Sequence, residues 1–334
     1  MSTTHPSLPP SPAPPPGPAD PSGPAAPTAV LAQHSAAPPQ GRLLLPGERL
    51  IPSPGRDRPW RVLTVLLGAS VVLLLVGGLA VASAANWAAG RGYTEIASTA
   101  GLGSPASLRL DSMMGTVQVL PSDDVDEVTL ALVEPGATGL PSPQDTTPAR
   151  LTQNTDSAGT TWVTVAQPQS TVGWPWDDRT RDVLLLVPSG LELSLGIDAG
   201  VGDVLVDGTF HALEVRADVG NVVLEPLSVS DTLTVSSEIG EVEIELESPA
   251  PAITEITAAV GNVSLQLPTD SSGALDIVSN LGDVSVTAPG TTRWQVDADS
   301  ELGQVWVDPG VAAGAGDDGT LSVTADLGDI TIER

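Results

Sequence analysis

The chain has 334 residues and no cysteine, and its 41 acidic residues against 13 basic ones, all Arg, give a formal charge of -28. Without cysteine there is no disulfide framework, no thiolate metal site and no cysteine nucleophile. Up to Arg61 there are five Arg and three acids, a balance of +2, and beyond it eight Arg and 38 acids, a balance of -30; a field of that sign excludes nucleic acid and anionic headgroups as bulk-electrostatic partners of the C-terminal part.

Residues 1–59 are dominated by Pro, Ala, Ser and Gly, as in Pro9-Pro10-Ser11-Pro12-Ala13-Pro14-Pro15-Pro16. Proline removes backbone donors, and bulky apolar groups are too few to repay the entropy of ordering. This segment is predicted to be a disordered tail with polyproline II character, a spacer more than a ligand motif.

Residues 62–85 form a run of 24 without a charge. As a helix rising about 1.5 Å per residue this run spans roughly 36 Å, enough for a hydrocarbon core of about 30 Å. Trp60 and Trp87 bracket it at the expected interfaces. Arg42, Arg49, Arg56, Arg58 and Arg61 precede it and Arg91 alone follows closely, so the positive-inside rule predicts a cytoplasmic N-terminus and an extracellular C-terminal domain. Ala82-Ser83-Ala84 has the form of a signal-peptide cleavage site, but the long leading segment and the length of the run favour a single-pass anchor in the cell membrane.

Residues 86–107 read as a tether, and 108–334 carry a repeat. Apolar residues stand seven, five and one positions before a glycine and two and four positions after it, as in Leu195, Ile197, Val201, Gly202, Val204 and Val206. The glycines are Gly202, Gly220, Gly240, Gly261, Gly282, Gly303 and Gly328, spaced 18, 20, 21, 21, 21 and 25 residues apart, with an earlier copy at Gly115. Alternation on each side of a glycine that breaks it reads as strand, sharp bend, strand. Stacking successive units about 4.8 Å apart predicts an all-β parallel β-solenoid, with Val219, Ile239, Val260, Leu281, Leu302 and Leu327 as one internal ladder. A meander of hairpins forming a sandwich is the alternative. Residues 121–188 read as an insertion or N-terminal cap with strands at Val125–Val133, Thr160–Val165 and Asp182–Val187. The stack then ends at Ile330-Thr331-Ile332-Glu333-Arg334, an edge suited to a partner chain.

From Leu185 to Gly208, LLVPSGLELSLGIDAGVGDVLVDG, followed by recurring Gly-[Asp/Asn/Glu]-Val steps, the chain resembles the bacterial adhesin-domain family of β-helical repeat surface proteins, over about residues 108–334. The resemblance implies a single-stranded β-helix displayed at the cell envelope, in some members beside envelope-stress regulators, and it supplies no catalytic residues. Glu241 and Gln304, where Asp or Asn often follows the glycine, and the long proline-rich tail depart from the family pattern.

The residues after the glycines form a polar series: Thr116, Asp203, Asn221, Glu241, Asn262, Asp283, Gln304 and Asp329. Asp218, Glu238, Glu301 and Asp326 stand two positions before a glycine. Oxygens at this density suit Ca²⁺, but the Gly-Gly-x-Gly-x-Asp calcium repeat is missing, and short polar side chains that bond the bend backbone are the favoured reading. No metal site or cofactor is assigned. Trp174, Trp176, Asp177 and Asp178 pair indoles with carboxylates and are the candidate ligand-binding residues, set against a role covering the end of the apolar stack. Trp294 and Trp306 read as packing or surface-flank residues. His5, His34 and His211 are scattered, so no serine triad or histidine metal site is assembled, and the chain is expected not to be an enzyme. The expected function is a membrane-anchored, adhesin-like binding or display protein that engages membrane lipids through its helix and an unidentified envelope or protein ligand through its repeats. The alternatives are an envelope-stress sensor or scaffold signalling through the tail, and a polysaccharide-acting enzyme on a β-helix. Oligomers are compatible with the repeat.

Overall fold

The computed structural model describes residues 63, 66–74, 76–78, 92–168, 180–312 and 319–334. The tail 1–59 lies outside the described residues, as do Trp174, Trp176, Asp177 and Asp178. Residues 66–74 and 76–78 are helical, with Leu66, Leu67, Leu73 and Leu74 exposed. Among the described residues no helix is long and apolar enough to cross a membrane, and the remainder of the 62–85 run lies outside them.

The described residues from 92 to 334 are all-β. The strands are β1 (Thr94–Ala97), β2 (Thr99–Gly101), β3 (Ser107–Met114), β4 (Val117–Ser122), β5 (Thr129–Val133), β6 (Thr146–Thr155), β7 (Thr160–Ala166), β8 (Asp182–Pro188), β9 (Ser194–Val201) and β10 (Val204–Val219). They continue with β11 (Val222–Ile239), β12 (Val242–Leu246), β13 (Ile253–Val260), β14 (Val263–Gln266), β15 (Gly273–Leu281), β16 (Val284–Thr287), β17 (Trp294–Leu302), β18 (Val305–Val307), β19 (Gly319–Leu327) and β20 (Ile330–Glu333). β1 and β2 fall where the sequence predicts a tether: their backbone groups are paired by β6 and β5, which lie in the segment 121–188.

Strands flanking a glycine pair with the neighbouring repeats, in parallel and in register. Strands before the bend run in the order β7, β3, β9, β10, β11, β13, β15, β19, β17. Strands after the bend run β8, β4, β10, β11, β12, β14, β16, β20, β18. The long strands β10 and β11 serve both ladders, their first halves in one and their second halves in the other. The stack is closed at one end by antiparallel strands, β6 and β1 on one ladder and β5 and β2 on the other.

The rungs do not follow chain order. The Gly115 rung sits between β7–β8 and the Gly202 rung, and the Gly328 rung sits between those of Gly282 and Gly303. Ile330–Glu333 is therefore an interior strand, and the open edge expected there belongs instead to β17 and β18. The Gly282, Gly303 and Gly328 rungs carry a similar aliphatic pattern, so the repeat by itself does not distinguish which of the last two lies next to Gly282.

The core is built from the predicted alternation. Position five before the glycine gives Leu110, Ile197, Val215, Val235, Ile256, Ile277 and Val323, all buried, and position two after it gives Val117, Val204, Val222, Val242, Val263, Val284 and Ile330, also buried. The third position before the glycine, unremarked in the sequence pattern, is always small: Ser112, Ala199, Ala217, Ser237, Ala258, Ser279, Ala325 and, on the last rung, Ser300. It fills the inside of the corner. At the corner itself the glycine lies against the previous rung: a Cβ on Gly240 would stand 1.9 Å from the Gly220 carbonyl oxygen, and φ there is +151°. Only glycine meets both demands.

Candidate binding surface

The residue just before each glycine is predicted to be internal and is not. The backbone turns between the small residue and the glycine, so the strict alternation of a strand fails over that step and the side chain emerges on the outside. Val201, Val219, Ile239, Val260, Leu281 and Leu327 each keep 43–54% of their surface exposed, and Leu302 keeps 70%. Register places them directly over one another in the order Met114, Val201, Val219, Ile239, Val260, Leu281, Leu327, Leu302. Six steps of about 4.8 Å make the stretch from Val201 to Leu302 an aliphatic ridge about 29 Å long. Each member is partly covered by its neighbours above and below, which stabilises the stack, yet the outer half of every side chain faces water.

Acids line both sides of the ridge. Asp218, Glu238, Glu301 and Asp326 are exposed on one side, and Asp203, Glu241, Asp283 and Asp329 on the other. The second row also bonds the bends. Asn221 N–H donates to Asp203 Oδ1 (2.8 Å), Glu241 N–H to Asn221 Oδ1 (3.1 Å), Asp283 N–H to Asn262 Oδ1 (3.0 Å), Asp329 N–H to Asp283 Oδ1 (2.8 Å) and Gln304 N–H to Asp329 Oδ1 (2.8 Å). Each short side chain thus satisfies a backbone donor on the adjacent rung, the bend-bonding role read from the sequence.

Two further clusters lie away from the ridge. On the face of the first ladder Arg109 reaches across Gly196, which has no side chain to block it, to pair with Glu214. Its guanidinium also lies 5.4 Å from the centre of the exposed Trp162 ring. That ring is fixed by its Nε1–H, which donates to Asp156 Oδ2 at 3.2 Å. Asp156 in turn accepts from Ala158 and Thr160 N–H in the β6–β7 turn, and the Thr160 and Trp162 bonds hold its carboxyl below the usual carboxylate value. The set braces β7, β3, β9 and β10 and leaves Trp162 44% exposed. Nothing in the repeat marks it, since Arg109, Trp162 and Glu214 are far apart in sequence.

On the other ladder a cleft of about 270 Å³ is lined by Asp207, Glu247, Phe210, Ser228 and Gly190 among others. Burial, and then the charge of Glu247, push the Asp207 carboxyl above its usual value. Of the tryptophans in the repeats, Trp294 is buried and Trp306 is exposed on β18. His211 meets Ser230 Oγ at 3.2 Å through Nδ1.

No family model and no curated protein matches the sequence. Among solved structures the chain is similar to a candidate cell adhesion protein from Clostridium sporogenes, at 11% identity and a TM-score of 0.34 over 72% of this chain and 99% of that one. It is also similar to a candidate adhesin from Bacteroides fragilis, at 17% identity and a TM-score of 0.44 over 72% of this chain and 97% of that one.

Proposed function

We propose that the chain is a single-pass, membrane-anchored cell-surface protein of adhesin-like type, whose β-solenoid binds a protein partner at the envelope and performs no catalysis. The ridge of Val201, Val219, Ile239, Val260, Leu281, Leu327 and Leu302 carries this reading. Solvent-exposed apolar surface that is contiguous, straight and rimmed by polar groups marks an interaction site, because leaving it wet forgoes roughly 25 cal/mol per Å². The carboxylate rows on either side select the partner: a second copy would oppose acid to acid, whereas a segment with an apolar stripe flanked by Lys or Arg is matched on all three tracks. An amphipathic helix, with a pitch of about 5.4 Å against the stack's 4.8 Å, runs nearly in step with the ridge. The anchor and its orientation are supported by the charge-free run 62–85, by the Arg residues before it and by the exposed leucines of its helical part.

The test uses full-length protein in nanodiscs and a helical peptide with one Leu stripe flanked by Lys, beside the same peptide with Glu for Lys. Retention of the Lys peptide, lost on combining Val219→Ser, Ile239→Ser and Val260→Ser in a variant whose far-ultraviolet circular dichroism shows it folded at the assay temperature, is the expected result. Equal retention by wild type and ridge variant, or preference for the Glu peptide, refutes the assignment.

A further inference from the structure

The two ends of the stack are built differently. At one end four antiparallel strands cover the last parallel rung. At the other, β17 and β18 pair only inward, with β19 and β20, among the described residues. The consequence is visible in side chains that obey the core pattern but lack a neighbour: Val305 is 42% exposed, whereas its equivalents Ile330 and Val284 are 0% and 1% exposed. Val296, Ala298 and Val307 are likewise only half-buried. Trp294, at the start of β17, is covered, and its backbone N–H donates to the Val311 carbonyl at 3.4 Å; the exposed stretch begins after it.

The backbone is unfinished in the same place. On interior rungs the glycine N–H and the N–H two residues later donate to the next rung, as Gly282 does to Leu327 O and Val284 to Asp329 O, both at 2.9 Å. Gly303 and Val305 hold the equivalent donors on the last rung, where the described residues provide no next rung. Alternating with the half-buried Val296 and Ala298, the exposed side of β17 presents Asp297, Asp299 and Glu301.

From these observations we infer that the β17–β18 edge is a strand-addition site for an extended segment of a partner protein in which Lys or Arg alternates with small aliphatic residues. Its carbonyls receive the Gly303 and Val305 donors, its aliphatic residues continue the Val296 and Ala298 rows, and its cations lie beside Asp297, Asp299 and Glu301. Two copies of this chain meeting edge to edge place these carboxylates opposite one another, a pairing that like charge disfavours. The acids therefore prevent self-assembly at the edge while admitting a basic strand. This site meets the ridge only at Leu302 and Glu301, and Ile239 lies four rungs away, so its test is separable from that of the proposed function.

The experiment titrates full-length protein with three fluorescent nine-residue peptides: alternating Arg and Val, alternating Glu and Val, and the Arg peptide with its central valines replaced by proline. The Arg peptide should bind at least tenfold more tightly than either other, with slowed amide exchange at Gly303 and Val305. Asp297→Arg combined with Asp299→Arg should reverse the preference between the first two, while the ridge variant Ile239→Ser leaves it intact. Equal binding of the proline peptide reduces the effect to bulk charge attraction and overturns the proposal, as does a charge-reversed variant with unchanged preference. Amide protection at Gly303 and Val305 that is lost on dilution without peptide assigns the edge to a second copy and overturns it too. If the double variant unfolds, the exchange measurement on wild type decides alone, and no slowing at Gly303 and Val305 refutes the site.

Discussion

Replacing Gly261 by Ala tests the stacking of the bends directly. The added Cβ would lie 1.9 Å from the Gly240 carbonyl oxygen, and φ at Gly261 is +140°. The contact is more than about 1 Å inside tolerable separation, so the two rungs must part locally. Parting them stretches the Gly240 N–H bond to Val260 O and the Val242 N–H bond to Asn262 O, both 2.9 Å, at about 1 kcal/mol each. Backbone strain adds about 1–3 kcal/mol, for a total of about 3–5 kcal/mol. Gly103→Ala separates the two contributions, because φ is also positive there (+78°) but nothing lies within 4 Å of the added Cβ; it should cost about 1 kcal/mol. Urea unfolding of the two variants, followed by far-ultraviolet circular dichroism, makes the comparison. A mid-stack break should also divide the transition, since each rung is held only by its neighbours. Equal destabilisation by Gly261→Ala and Gly103→Ala would refute the close-packed bend.

Three other perturbations report on different parts of the stack. Asp283→Ala removes the acceptor of Asp329 N–H and should lower stability by about 1 kcal/mol, whereas Asp283→Asn keeps an acceptor and should cost a few tenths, as read from urea midpoints. Ile256→Ala, at a position 1% exposed, should cost about 2–5 kcal/mol, and Ile239→Ala on the ridge markedly less in the same titration. Burial, and then the charge of Asp198, raise the Asp111 carboxyl above its ordinary 3.8. A raised carboxyl penalises the folded state only when ionised: the penalty is absent below 3.8, sets in as pH climbs toward the folded value and is complete above it. Asp111→Asn should therefore stabilise at pH 7 and lose that advantage at pH 3, and an equal effect at both would refute the assignment.

Much of the architecture is legible in residue spacing. Glycines at a near-constant interval mark bends, and the aliphatic positions on either side mark the buried faces, because a strand's period of two relates side-chain direction to sequence so simply. The same rule misplaces Val219, Ile239 and their equivalents, since alternation presumes a straight backbone and each of them stands at a corner. A clue to the corner was present in the Ala or Ser two residues earlier. The brace of Arg109, Trp162 and Glu214 was not legible at all: it depends on Gly196 lying between the strands of Arg109 and Glu214, a neighbour relation that only the folded register creates. The paired indoles at Trp174 and Trp176 lie outside the described residues, so the brightest local signal in the sequence meets no geometry.

The position of β19 and β20 makes one rung depend on strands that follow it in the chain. Among the described residues the rung that precedes them in synthesis, β17 and β18, has no other ladder partner, so a chain cut short before Gly319 cannot seat it where it belongs. Such a product either leaves Trp294–Val307 unpaired or lays that segment on the Gly282 rung, in a slot owned by another strand. In the first case the incomplete chain carries a loose aliphatic segment open to proteolysis; in the second the stack closes one rung short, and the place of β19 and β20 is filled by β17 and β18. The crossing makes β19 and β20 the link that joins the Gly303 rung to the Gly282 rung.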